Sequence, residues 1–216
     1  MHSNNGIICA VFDLDGTLIQ SHKNIYDATI QTFIDLDIKF IMPEEEFYNY
    51  IGHHFEDIFI SFGVIVPDFE VFIKQYKNNY FNFIDSSKFY NGVEDVLKYL
   101  KEKNIKIALL TTKAQDQAEK ILKHFQIDDY FDEIMGRRPG IAHKPSADPL
   151  KLICNFLNVE PSKTLMIGDS ELDVQCGKNA GSKTCAVSYG YRTKEHLQNE
   201  NPDYLIDNLN ELMNLF

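Results

Sequence analysis

Three largely apolar runs, far apart in the chain, each stop on acids or hydroxyls. Ile7–Phe12 stops on Asp13 and Asp15, Ile105–Leu110 on Thr111 and Thr112, and Thr164–Gly168 on Asp169. Short apolar runs bounded by polar residues and glycine read as buried β-strands. The stretches between them carry apolar residues at three- and four-residue steps, the mark of amphipathic helices. Strands that alternate with helices build a parallel sheet with crossover helices. Such a sheet places its C-terminal strand ends on one edge, where open α/β folds hold their chemistry. The three polar strand ends should therefore converge. The expected fold class is α/β, with a doubly wound parallel sheet.

The same pattern predicts further elements. Helices are expected over Val93–Leu100, Ala118–Phe125, Pro149–Leu157 and Val174–Ala180. Strands are expected over Ile105–Thr111, Phe131–Met135, Thr164–Asp169, Lys183–Ser188 and Tyr204–Ile206, with a final helix over Leu209–Leu215. One block breaks the alternation. From Lys23 to Phe83 the periodicity is helical throughout, as in Phe69, Phe72, Ile73, Tyr76, Tyr80 and Phe83. Pro43 before Glu44-Glu45-Glu46 fits proline and acids in a first helical turn, and Pro67-Asp68 reads likewise. An all-helical subdomain is thus inserted after the first strand. The division reads as 1–20 with 89–216 for the core and 21–88 for the insertion. The aromatic richness of the insertion is its own core.

Asp13 and Asp15 are two acids two residues apart at a strand end. Their repulsion needs an offset, and a divalent cation is the simplest. Oxygen-only ligands suit Mg²⁺. Gly168-Asp169-Ser170-Glu171-Leu172-Asp173 adds a second acid four residues after Asp169, on the same face of a helix start. Asp173 can then touch the metal or orient its waters, while capping of that helix by Asp169 or Ser170 is compatible with either. The chain has 32 acidic against 21 basic residues, net −11, which argues against nucleic acid or an anionic membrane as partner. An anionic substrate would need a metal and a few placed lysines. No apolar run reaches membrane-spanning length. The N-terminal residues Met1–Gly6 lack a basic and an apolar region, so no signal peptide is expected, and the location reads as cytoplasmic. Cys9, Cys154, Cys176 and Cys185 show no disulfide or zinc spacing and read as buried free thiols.

Asp13-Leu14-Asp15-Gly16-Thr17-Leu18 resembles the first motif of the haloacid dehalogenase superfamily, phosphatase branch. Thr111 falls on the second motif, with Thr112 where related sequences commonly carry Asn. His143-Lys144-Pro145 resembles the third motif. Gly168–Asp173, continuing through Gly177-Lys178-Asn179-Ala180-Gly181, resembles the fourth. The motifs arrive in family order, and the helical block matches the type-1 cap. Phosphoglycolate-phosphatase-like members are the most similar, a likeness shared by Tyr189-Gly190-Tyr191-Arg192 and the tail Asn201–Ile206. Departures are Gln20, Asn91 and the segment Arg137-Arg138-Pro139-Gly140.

The resemblance implies a Rossmann-like core with an all-helical cap, and a Mg²⁺-dependent phosphomonoester hydrolase working through an aspartyl-phosphate. Asp13 would be the nucleophile and Asp15 the acid and then the base. Thr111 and Lys144 would clamp the phosphoryl group, with Gly16 and Thr112 beside it. Asp13, Asp15, Asp169 and Asp173 would serve the metal. The Gly52–Glu56 turn makes His53 and His54 candidates for substrate contact. The partner is a small phosphate ester, and the protein a monomer or homodimer. Alternatives within the superfamily are a pyrophosphatase, a nucleotidase and a phosphosugar mutase. The mutase carries a histidine where this chain has Ile25, with His22 nearby. A dehalogenase lacks the second acid, Asp15. A phospho-acceptor switch domain is about half this length and has no helical insertion. Lys113 reads as a neighbouring surface charge.

Overall fold

The computed structural model of the protein describes residues 6–216. The expectation about a signal peptide falls on residues 1–5, outside the described ones. The chain forms two compact units: one from the residues up to Leu18 together with Phe89–Phe216, the other Ile19–Lys88.

In chain order, β1 (Cys9–Phe12) belongs to the first unit. The second unit begins with β2 (Ile19–Gln20) and continues through α1 (His22–Asp35), α2 (Glu44–Tyr48), α3 (Phe55–Phe62) and α4 (Phe69–Asn82). The short β3 (Lys88–Phe89) pairs with β2. The first unit then resumes with α5 (Val93–Glu102), β4 (Lys106–Ala114), α6 (Gln115–His124), β5 (Glu133–Arg137) and α7 (Asp148–Leu157). It ends with β6 (Thr164–Gly168), α8 (Glu171–Ala180), β7 (Lys183–Val187), α9 (Lys194–Asn199) and β8 (Tyr204–Ile206).

The six-stranded sheet runs β5-β4-β1-β6-β7-β8, and every pair in it is parallel. This is the Rossmann-like α/β architecture that the strand–helix alternation predicts. From β1 the chain builds outward to β4 and β5 on one side, then to β6, β7 and β8 on the other. That reversal is a topological switch point, the place where such sheets open a crevice at their C-terminal edge. Register fixes what meets there. Phe12 lies opposite Leu109 on β4 and Ile167 on β6. The residues that follow, Asp13, Thr111 and Asp169, come out almost level.

β1 is buried on both faces, as a central parallel strand must be. Cys9 and Val11 pack with Ala108, Leu110, Met166, Leu150 and Ile153 in one apolar cluster. All four cysteines are free and buried, and burial pushes the Cys9 and Cys176 thiols up to about 12. Among the described residues, no helix is long and apolar enough to cross a membrane.

The inserted unit packs aromatic on aromatic. The Phe72 ring lies 4.9 Å from Phe59, 5.4 Å from Phe55 and 6.0 Å from Phe33, centroid to centroid. Polar groups on α1 and α4 pair with each other: Asn79 donates to Thr32 Oγ1 at 3.0 Å and to Asp35 Oδ2 at 2.9 Å.

Several local expectations need correction. Pro43 precedes the first turn of α2 instead of standing in it. Asp68, not Pro67, starts α4, its carboxylate accepting from Val71 N–H at 3.0 Å. The C-terminal segment is a 3₁₀ helix, Leu209–Asn214, whose three-residue repeat lines up the fully buried Leu209 and Leu212. β4 runs on to Ala114: its register against β5 shifts after Leu110, and pairing resumes in the new register at Ala114–Arg137.

Candidate active site

β1 ends at Phe12, and Asp13 N–H still bonds Ile167 O at 2.9 Å, so the sheet holds the first acid at its edge. The chain then turns at Gly16, whose φ of +87° lies in the left-handed region. A Cβ there would sit 2.2 Å from Asp169 Oδ2, so the turn packs directly on the acid that follows β6. Only glycine permits both the dihedral and the approach.

Asp13, Asp169 and Asp173 are all buried and can each offer an oxygen within 4.8 Å of the others. Lys144 reaches this group from the loop before α7. Its Nζ lies 2.6 Å from Asp13 Oδ1 and 2.6 Å from Asp173 Oδ1. The Lys144–Pro145 peptide is cis. The second Asp173 oxygen accepts from Ser170 N–H at 3.1 Å and from Ser170 Oγ at 2.6 Å, the reach-back contact of a capping box at the start of α8. Asp173 therefore spends both oxygens on Lys144 and Ser170. It orients the lysine and the helix start.

Asp169 Oδ2 accepts from Tyr191 N–H at 2.7 Å. The loop that supplies this donor is pressed against it, since a Cβ on Gly190 would fall 2.2 Å from Asp169 Cβ. Tyr189 ties the loop to the first motif by donating its hydroxyl to Thr17 O at 3.0 Å. Arg192 is fixed by Glu171, with Nε at 2.8 Å and Nη2 at 3.2 Å from the carboxylate. The segment 189–192 thus has a positioning role that its sequence shows only as a family likeness.

Asp15 pairs with Lys113, Nζ to Oδ2 at 3.3 Å, both side chains about nine-tenths buried. This corrects the reading of Lys113 as a surface charge. β4 extends past Thr112 through the irregular stretch between Leu110 and Ala114, and Lys113 reaches Asp15 from there. Thr111 is buried, and its Oγ1 accepts from Lys113 N–H at 3.2 Å. Thr111, Thr112 and Lys144 line one pocket. His53 and His54 belong to the other unit. His53 N–H bonds Tyr50 O at 3.0 Å, and His54 is the residue before α3.

Electrostatics follow from this geometry. Burial pushes Asp13 up to about 7; Lys144 opposes the shift, and Asp173 and Asp15 add to it. Asp169 is held well above the ordinary carboxylate range by burial and by Asp13 and Asp173, partly offset by Tyr191 N–H and Arg192. Burial works against the Lys144 charge, yet Asp13 and Asp173 more than offset it and hold its ammonium above the ordinary lysine value. Four carboxylates, Asp13, Asp15, Asp169 and Asp173, thus face two ammonium groups, Lys144 and Lys113. With all four ionised, two negative charges would be left over in a buried setting, where uncompensated charge is costly, and burial accordingly favours the protonated forms of Asp13 and Asp169. An all-oxygen site with that deficit fits one hard divalent cation.

The haloacid dehalogenase-like hydrolase family profile matches residues 10–187. A Clostridium perfringens homologue named as a PpaX pyrophosphatase is 37% identical over 213 residues, which covers 97% of each chain. The pyrophosphatase PpaX of Halalkalibacterium halodurans is 32% identical over 207 residues, 95% of this chain and 94% of that one. A solved Clostridium acetobutylicum structure, described as "a predicted phosphatase", superposes with a TM-score of 0.83 at 27% identity over 96% of this chain and 97% of that one. The chain belongs to the haloacid dehalogenase-like hydrolase family. Within that family it is a phosphatase, with a buried aspartate cluster that could bind a metal ion.

Proposed function

We propose that the protein is a Mg²⁺-dependent phosphohydrolase that forms an aspartyl-phosphate on Asp13 and acts on a small phosphorylated metabolite, with inorganic pyrophosphate as the first candidate. One observation carries the reaction: the buried Asp13 at the sheet's C-terminal edge, bonded through one oxygen to Lys144. Among the described residues nothing donates to its other oxygen, which is the one to attack. Pyrophosphate is favoured because relatives named for that activity align over nearly the whole of both chains. The phosphoglycolate-like reading stands second.

In the first step Asp13 attacks phosphorus and the bond to the leaving oxygen breaks. Asp15, held in place by Lys113, enters this step protonated and gives its proton to that oxygen. Asp15 then takes a proton from water, which attacks the same phosphorus and releases phosphate and the Asp13 carboxylate. Thr111 and Lys144 hold the phosphoryl oxygens, with Gly16 and Thr112 beside them. Asp13, Asp169 and the main-chain carbonyl of Asp15 would hold Mg²⁺, with Asp173 behind through Lys144, and the ion would neutralise phosphoryl charge. Residues 19–88 contain no comparable acid–lysine–threonine set among the described residues; we assign them to substrate selection, with His53 and His54 as the positions to test.

The test is turnover of p-nitrophenyl phosphate and of pyrophosphate, with Mg²⁺ and with the metal chelated. Hydrolysis that needs Mg²⁺ and disappears in Asp13→Asn supports the reading. Undiminished hydrolysis by Asp13→Asn, or by chelated wild type, overturns it.

A further inference from the structure

One oxygen of Asp169 is enclosed. Its Oδ2 accepts from Tyr191 N–H at 2.7 Å. A Cβ on Gly16 would fall 2.2 Å from that oxygen, and one on Gly190 would fall 2.4 Å from it. The turn after β1 and the loop after β7 therefore close over Oδ2, which leaves Oδ1 as the oxygen for a cation. Asp173 is spent in another way, on Lys144 and Ser170. A cluster built so offers single oxygens, and few of them.

The loop after β7 is itself clamped at both ends. At one end Tyr189 donates its hydroxyl to Thr17 O at 3.0 Å, and its ring lies 4.7 Å from that of Tyr90. At the other, Arg192 sets Nε 2.8 Å from Glu171 Oε2 and Nη2 3.2 Å from Oε1, with both side chains largely buried. Two parallel bonds of this kind fix a guanidinium in orientation as well as in distance. Glu171 lies two residues after Asp169, and Arg192 directly follows Tyr191. The Asp169–Tyr191 and Glu171–Arg192 contacts are thus adjacent rungs between the same two segments, and the second holds the first in register. His196 Nε2 also reaches Glu171 Oε2, at 3.2 Å, so Arg192 is the cleaner member of the pair to change.

We propose that Arg192, through its fork on Glu171, is a positioning residue that keeps Asp169 a one-oxygen ligand and so tunes the site for Mg²⁺ over Ca²⁺. The inference rests on the divalent-cation reading above and adds the residue that enforces it. Mg²⁺ is small and octahedral, and is held by about one or two carboxylates with several waters. Ca²⁺ takes roughly six to eight oxygens and accepts both from one carboxylate. With the loop released, Asp169 can turn and present both oxygens. Mg²⁺ then loses a placed ligand atom, and Ca²⁺ gains one.

The experiment is calorimetric titration of the metal-free protein with Mg²⁺ and, separately, with Ca²⁺. It compares wild type, Arg192→Gln, Arg192→Lys and Tyr189→Phe, with the melting temperature of each metal-free protein recorded. In Arg192→Gln the Mg²⁺ Kd should rise on the order of tenfold, as for other residues that orient a metal ligand. The Ca²⁺ Kd should rise by less than about twofold, or fall, so the preference for Mg²⁺ shrinks. Arg192→Lys keeps the charge without the fork and should recover only part of the loss. Full recovery overturns the fork, because charge alone would then suffice. An equal loss for both ions overturns the proposal, since Arg192 would then serve the fold or the general field. Unchanged Kd values in Arg192→Gln overturn it too, as does a wild type with no preference for Mg²⁺. Tyr189→Phe releases only the other end of the loop and should shift the preference the same way by a smaller factor. If the Arg192 variants do not fold, an unshifted preference in Tyr189→Phe overturns the clamp. If wild type binds neither ion, the divalent-cation reading falls and the clamp falls with it. If wild type prefers Mg²⁺ and Asp13→Asn keeps full turnover, the covalent reading falls, and the titrations still decide the clamp.

Discussion

The edge of the sheet and the interior of the inserted unit are both buried, and they are built on opposite terms. Around Phe72, rings meet rings and the polar groups nearby pair among themselves, Asn79 with Thr32 and Asp35. Around Asp13, three acids crowd one lysine and the local charge does not close. The first arrangement serves stability. The second holds strain that substrate and metal can relieve, as charged active sites do when burial shifts their pKa values. Damage should therefore appear as lost folding in one region and as lost chemistry in the other.

The largest effect is expected at Asp13. Asp13→Asn should lower turnover on the order of 10³-fold or more, since removal of a nucleophile disables the catalytic unit. Thermal unfolding of the metal-free protein should stay at or above that of wild type, because one of several mutually repelling charges is gone. A melting temperature well below wild type would mean that Asp13 supports the fold and would blur the contrast.

Lys144→Ala should damage both properties. It leaves Asp13 and Asp173 buried with no cation, and breaking such a cluster typically costs about 3–5 kcal/mol. Denaturant unfolding and steady-state kinetics on one preparation check this. A variant with native stability would show that the carboxylates find another partner.

Phe72→Ala tests the other region. Removing a fully buried ring typically costs about 3–5 kcal/mol. Phosphorylation of Asp13 by a small substrate should persist in the molecules that stay folded. Loss of that phosphorylation in folded protein would contradict the division of labour between the two regions.

How far these regions were legible in the sequence differs for a physical reason. Helical periodicity marks Phe72 and Tyr76 as core whatever they touch, because burial of rings needs no particular partner. The strand ends also gave themselves away, since Asp13, Thr111 and Asp169 interrupt apolar runs. Lys113 did not, because it follows two threonines and nothing local shows that β4 continues past them. The pairing of Asp173 with Lys144 joins residues 29 positions apart and depends on how α8 starts. The part played by Tyr191 N–H in holding Asp169 is a backbone contact, which side-chain identity does not encode. The 3₁₀ form of Leu209–Asn214 escaped for a similar reason: spacing shows the buried leucines and not the tightness of the turn.

A smaller effect should appear on varying pH. Asp13 is raised to about 7 in the folded protein, against an ordinary carboxylate value near 4 when unfolded. Between those values the native state holds a proton that the unfolded chain has released. Metal-free stability should therefore fall as pH rises from about 4 to about 7, and Mg²⁺ should raise the melting temperature most at the upper end. In Asp13→Asn that part of the slope should shrink. An unchanged slope would place the titrating group elsewhere.

The central claim is a covalent phosphate on Asp13, and trapping it is the most direct test. Enzyme mixed with substrate and quenched within the first turnover can be reduced with borohydride, which converts an aspartyl-phosphate to homoserine. Peptide mass analysis then locates the change. The account predicts homoserine at position 13 alone, dependent on Mg²⁺ and on substrate. Modification at Asp15, Asp169 or Asp173, or none at all during full turnover, would contradict it.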